Sequence, residues 1–160
     1  MGEFAPVKER LEPALQLSGQ PVKRGTMAHE HIVYMMLVDS AASMEDADSV
    51  NKYVPRLIEL AIRDNHKPYL AIGYRASGIA FRIAGDHHQA DEHFQEALKI
   101  FTDLEMPWQA GRTLSEMGKL ARLQGDVELS KKMFTKALQA FEKIQAKSDS
   151  MKLQKALETK

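Results

Sequence analysis

Histidines and paired carboxylates are the residues of this sequence best suited to chemistry, and their spacing decides what they could do. Metal ligands on one helix should sit three or four residues apart so that they share a face. His29 and His31 are two apart, about 200° round a helix, and His88 and His93 are five apart, with His87 beside His88. They are expected as solvated surface residues, with no metal. Asp91 with Glu92, and Glu9 with Glu12, lie among Lys and Arg in charge-mixed stretches. Solubility and i,i+4 support explain such pairs better than general acid–base work does. There is no Cys, which removes disulfides, thiolate nucleophiles and cysteine-based metal sites together. No Gly-rich phosphate loop, Gly-x-Ser-x-Gly elbow or His-Glu-x-x-His occurs. The expectation is a protein that is not an enzyme and carries no cofactor.

Charge points the same way. Lys plus Arg equals Asp plus Glu at 22 each, so the whole chain has no field of the kind that holds nucleic acid or an anionic membrane surface. The longest apolar stretch, Ile32 to Val38, is far short of the roughly 20 residues that span a bilayer, and no export signal opens the chain. A cytoplasmic location is expected. With 160 residues, 44% of them hydrophobic, one domain with a continuous core is expected.

The elements that position these residues come from self-comparison. A shift of 40 superposes Gly78, Arg82, Gly85, Asp86, Phe94, Ala97, Leu98 and Phe101 on Gly118, Arg122, Gly125, Asp126, Phe134, Ala137, Leu138 and Phe141. These are eight identities in the 27 positions from Gly78 to Leu104, where composition alone would give about two. Each copy divides at its Gly-Asp pair: glycine closes one helix in a left-handed cap and aspartate caps the next. The unit is helix, turn, helix. Ala90, Phe94, Ala97, Leu98, Phe101 and Leu104 line one face of the second helix, and Met133, Phe134, Ala137, Leu138, Phe141 and Ile144 repeat that face. Pro68 and Pro107 suit first helical turns. Both are followed by an aromatic, Tyr69 and Trp108, and Trp108 and the phenylalanines, at helix-packing spacing, are expected in the core.

A degenerate copy lies upstream, with Ile32 to Ala42 as its first helix and Asp46 to Asp64 as its second. There Val54, Leu57 and Ala61 precede Phe94, Ala97 and Phe101 by 40, and Pro55 is expected to kink the helix or delay its start. Residues 1–25 form an N-terminal segment with a short helix from Val7 to Leu17, a turn from Ser18 to Gly25, and Thr26 as a cap. Units of about 26–66, 68–105 and 107–147 make up a repeat domain at 26–147. Residues 148–160 form a terminal helix or tail, capped by Ser148, Asp149 or Ser150. The fold class is all-α: an α-solenoid of about three helix pairs with flanking N- and C-terminal helices.

These residues resemble the tetratricopeptide repeat (TPR) family. Its small residue in the first helix is matched by Gly78 and Gly118, and its Ala, aromatic, Ala pattern in the second by Ala90, Phe94 and Ala97, then Ser130, Phe134 and Ala137. The common unit is about 34 residues long, whereas this one is nearer 40, similar to the long repeats of large bacterial ATPase- or cyclase-type regulators. Met106 to Leu114 is similar to the last repeats of such chains. The resemblance implies a scaffold for protein–protein interaction, a piece of a longer sensor protein, and no catalytic residues.

Stacked helix pairs present a concave surface lined by their first helices. Next to Gly78 and Gly118, where the two helices of a unit approach closely, a stripe carries Arg75, Ile79 and Arg82 in one unit and Arg112, Ser115, Lys119 and Arg122 in the next. Met35 and Asp39 complete the expected groove, although Asp39 interrupts the basic pattern and Met35, with Met36 and Met44, also suits packing. A locally basic groove that takes an acidic segment or a terminal carboxylate of a protein or peptide partner is expected. Two other roles fit a stack of this kind: a regulatory domain sensing a ligand or signal peptide, and a homo-oligomerisation module.

Overall fold

The computed structural model describes residues 5–16 and 27–158. Among them are eight helices and no strand: α1 (Ala5–Gln16), α2 (Met27–Ser43), α3 (Ala47–Arg63), α4 (Lys67–Ala84), α5 (His87–Asp103), α6 (Pro107–Leu123), α7 (Val127–Lys143) and α8 (Lys147–Glu158). Each packs on the next in sequence, and α4 also touches α2 and α6, which gives a helical solenoid. The turn expected at Ser18 to Gly25 and the cap at Thr26 lie outside the described residues.

What sets the period is a helix ending repeated every 20 residues. Glu45, Asn65, Gly85, Glu105, Gly125 and Gln145 all have positive φ, between 51° and 82°. After each, the next N–H donates back to a carbonyl five residues earlier, as from Asp46 to Ala41, Asp86 to Phe81 and Asp126 to Ala121 at 2.9–3.0 Å. The left-handed residue itself donates three back, as from Gly85 to Arg82. These paired bonds satisfy the last carbonyls of each helix and reverse the chain within two or three residues. Only two of the six positions hold glycine, which is why sequence comparison finds a period of 40 where the backbone has 20.

Helix starts alternate in kind. The second helices are capped by Asp46, Asp86 and Asp126, whose carboxylates accept from the N–H groups of Ser49, Gln89 and Leu129 at 2.9–3.1 Å. The first helices use Pro68 and Pro107 in their opening turns, after His66 and Met106. Three expectations are corrected. Helix α3 runs unbroken through Pro55, because Pro55 and Asn51 four residues before it are exposed and water can replace the missing N–H. Ser148, Asp149 and Ser150 do not cap α8 but lie in its first turn, where Ser150 N–H donates to Ala146 O at 3.0 Å. Leu104 and Ile144 are exposed, because both fall at the C-caps of their helices, past the last inward-facing turn.

Packing follows the apolar faces. Val54, Leu57 and Ala61, then Phe94, Ala97 and Phe101, then Phe134, Ala137 and Phe141 are all buried. The phenylalanines fill the space that glycine leaves on the facing helix: a Cβ at Gly78 would lie 2.6 Å from the Phe94 ring, and one at Gly118 2.7 Å from that of Phe134. Burying a side chain of this size stabilises by about 1.5–3 kcal/mol. The stack's two ends are covered by α1, where the Tyr53 hydroxyl donates to Glu12, and by α8, whose Leu153 packs on Phe134 and Phe141.

Candidate functional site

Because successive helices reverse direction, every other one lies on the same side of the stack. Helices α2, α4, α6 and α8 therefore share one face, and their side chains, with the rings of Phe134 and Phe141 behind them, enclose a groove of about 800 Å³. Asp39, Arg75, Ile79, Arg82, Arg112, Ser115, Lys119 and Arg122 all line it. Met35 does not: it is half-buried against the core of the first units.

The charged residues form two clusters. In the first, Asp39 of α2 receives Arg75 Nη2 at 3.0 Å on one oxygen and Arg112 Nη1 at 2.9 Å on the other, so a single carboxylate joins three helices. Arg75 is buried over the Phe101 ring, and its Nη1 donates to Gln109 Oε1 at 2.5 Å. Burial, reinforced by repulsion from Arg112 and opposed by Asp39, pushes its guanidinium down to about 10, so it stays charged at neutral pH. Burial also resists ionisation of Asp39, but Arg112 and Arg75 outweigh it and hold the carboxyl below its ordinary value. In the second cluster, Arg82 Nη2 donates to Glu45 Oε1 at 2.6 Å and lies 3.4 Å from Glu116 Oε2. Lys119 donates to Glu116 Oε1 at 2.7 Å.

The expectation of a basic groove needs adjustment. Six cations line it, Arg75, Arg82, Arg112, Lys119, Arg122 and Lys152, against the four carboxylates of Asp39, Glu45, Glu116 and Asp149. The positive surplus is two, smaller than the Arg and Lys stripe alone suggests. Two of its arginines, Arg75 and Arg82, are buried rather than presented to solvent.

Sequence reasoning missed the acids Glu45 and Glu116, and it misplaced Trp108. That ring is 40% exposed on the groove wall, with Arg112 stacked over it at 4.8 Å and Asp149 accepting from its Nε1 at 3.0 Å. The i,i+4 spacing of Trp108 and Arg112 was the available signal. The histidines also need correction. His31 is buried, with Nε2 donating toward both Asp64 at 3.0 Å and the Leu60 carbonyl at 3.2 Å. His93 is half-buried against Phe81 and Tyr74, and burial lowers its pKa. Among the described residues no group of three or more His, Asp or Glu is placed to hold a metal ion, and no helix is long and apolar enough to cross a membrane.

No family model matches the sequence, and no curated protein sequence does. Among solved structures, the crystal structure of BtubC (BKLC) from P. vanneervenii superposes with a TM-score of 0.67 at 16% identity, covering 89% of this chain and 57% of that one. The likeness is one of fold. This chain spans little more than half the length of that one, and the groove described above is read from this chain's own residues.

Proposed function

We propose that this chain is a non-catalytic scaffold of the tetratricopeptide type, working in the cytoplasm as part of a larger regulator, and that its groove captures an acidic segment of a protein partner. The observation that carries the reading is the groove itself: three first-type helices held in register by the Asp39 bridge, with a surplus of two cations and a half-exposed tryptophan on its wall. Stacked helix pairs use such faces for peptides, and arginine pairs with carboxylates through two parallel bonds.

The test is a titration of fluorescein-labelled hexaglutamate, followed by anisotropy at low and at high salt. The variant Lys119→Glu/Arg122→Glu is suited to it because both side chains are exposed on the groove, and its circular dichroism and thermal midpoint check that it folds. The wild type should bind more weakly as salt rises, and the double reversal should remove binding. Unchanged binding by the reversed protein would contradict the reading.

A further inference from the structure

Resting on that reading, we propose that the acidic partner's side-chain carboxylate docks on Arg82 by displacing Glu45, which occupies the site from within the chain until a partner arrives. Two independent features, one of Arg82 and one of Glu45, point to this. The residue is nine-tenths buried and lines the groove, yet its Nε is shielded from water and has no acceptor. A guanidinium normally meets a carboxylate with two parallel N–H bonds, whereas Glu45 takes only Nη2. The fork is half used. A buried donor left without an acceptor is costly, so a carboxylate reaching both Nε and Nη2 gains more there than Glu45 does.

The second feature is how loosely Glu45 is held. It lies in the turn after α2, at φ 56°, the position that Gly85 and Gly125 fill 40 and 80 residues later. Its side chain is 51% exposed, against 29% for Asp39, which two arginines grip on both oxygens. Swinging Glu45 into water gives up its bond to Arg82 and its 3.9 Å pairing with Lys119, and leaves Glu116 beside Arg82 and bonded to Lys119. The two acids of the first unit play different parts: Asp39 ties the helices together, and Glu45 is a competitor that an incoming acid replaces. Glutamate or aspartate side chains within a segment are the committed ligand, and a chain-terminal carboxylate is an outcome of the test.

The experiment titrates wild type, Glu45→Gln and Asp149→Asn with labelled hexaglutamate carrying an amidated C-terminus. Glu45→Gln should tighten binding about fivefold to tenfold, the worth of one competing ion pair, and addition of peptide should shift the Arg82 Nε–H resonance. Asp149→Asn removes a carboxylate from the same groove that bonds Trp108 rather than Arg82, so it should change affinity about twofold at most. Equal tightening by both variants would reduce the effect to net charge and overturn the displacement. Unchanged or weaker binding by Glu45→Gln, with binding still lost on reversing Lys119 and Arg122, would also overturn it while leaving the scaffold reading intact. Binding only of a free-carboxylate peptide would overturn the side-chain ligand. No binding by any form would remove the scaffold reading as well.

Discussion

The second and third units close their helix pairs with a glycine facing a ring, Gly78 with Phe94 and Gly118 with Phe134. The first unit, 40 residues earlier, has Val38 and Val54 at those places, both buried. The same interior volume is divided as nothing plus a large ring in two units and as two medium side chains in the other. Close packing constrains the sum more strongly than the parts, so the architecture survives a change that hides the repeat from sequence comparison. A second difference lies on the groove side. Where the later units have Ile79 and Lys119, the first has Asp39, and where they have Gly85 and Gly125 it has Glu45. The degenerate unit supplies the counter-ions for its neighbours' cations.

The largest effect should come from emptying the ring side of the comparison. Phe94→Ala should cost about 3–5 kcal/mol in urea unfolding, and Phe134→Ala should fall in the same range. Val54→Ala, which removes far fewer atoms, should cost clearly less, and equal costs would break the equivalence of the sites.

Next comes the ionic difference. Asp39→Ala leaves the buried Arg75 without its carboxylate and should cost about 3 kcal/mol. Asp39 is held below its ordinary value of 3.8, so it contributes stability in full above that value and loses it as pH falls through the lowered one. The wild type should accordingly lose more stability than Asp39→Asn over that acidic range. Parallel stability profiles would show that the bridge adds nothing.

The packing exchange itself can be tested by a double-mutant cycle. Gly78→Val alone drives a side chain into the Phe94 ring and should cost about 1–3 kcal/mol. Gly78→Val with Phe94→Val rebuilds the first unit's solution, so the pair should cost less than the sum of the single changes. Additivity would mean that Val38 and Val54 are not the counterpart of Gly78 and Phe94.

The smallest effect is in the turns. Glu105→Gly places at φ 52° the residue that tolerates it best, and should stabilise by up to about 1 kcal/mol, while Gly85→Glu should cost a similar amount. Thermal midpoints that move in the same direction for both would contradict the shared turn geometry.

Much of the fold was legible because its signals are local. Gly85, Gly125, Asp86, Asp126 and the phenylalanine spacing each specify a turn or a face by themselves. At the remaining four turns the helix breaks were legible but the turn geometry was not, because Glu45, Asn65, Glu105 and Gln145 adopt a left-handed backbone that their side chains do not announce. In the groove, the cations were found from helical spacing, since Arg75 and Arg82 share a stripe beside Gly78. Their partners were not, because Asp39 meets Arg112 across 73 positions of sequence and Glu45 meets Arg82 across 37. Burial of His31 was hidden likewise, since the Leu60 carbonyl and Asp64 that hold it belong to another helix and its turn. Periodicity shows which face of a helix is apolar, and only tertiary packing shows which charges come together.

The shared face of α2, α4 and α6 is the proposed site for an acidic partner. Amide chemical-shift mapping with labelled protein and hexaglutamate tests it most directly. Shifts should concentrate at Asp39 to Glu45, Arg75 to Arg82 and Arg112 to Arg122, with α3 and α5 unmoved; shifts centred on α3 and α5, or none at saturating peptide, would place the partner elsewhere or remove it.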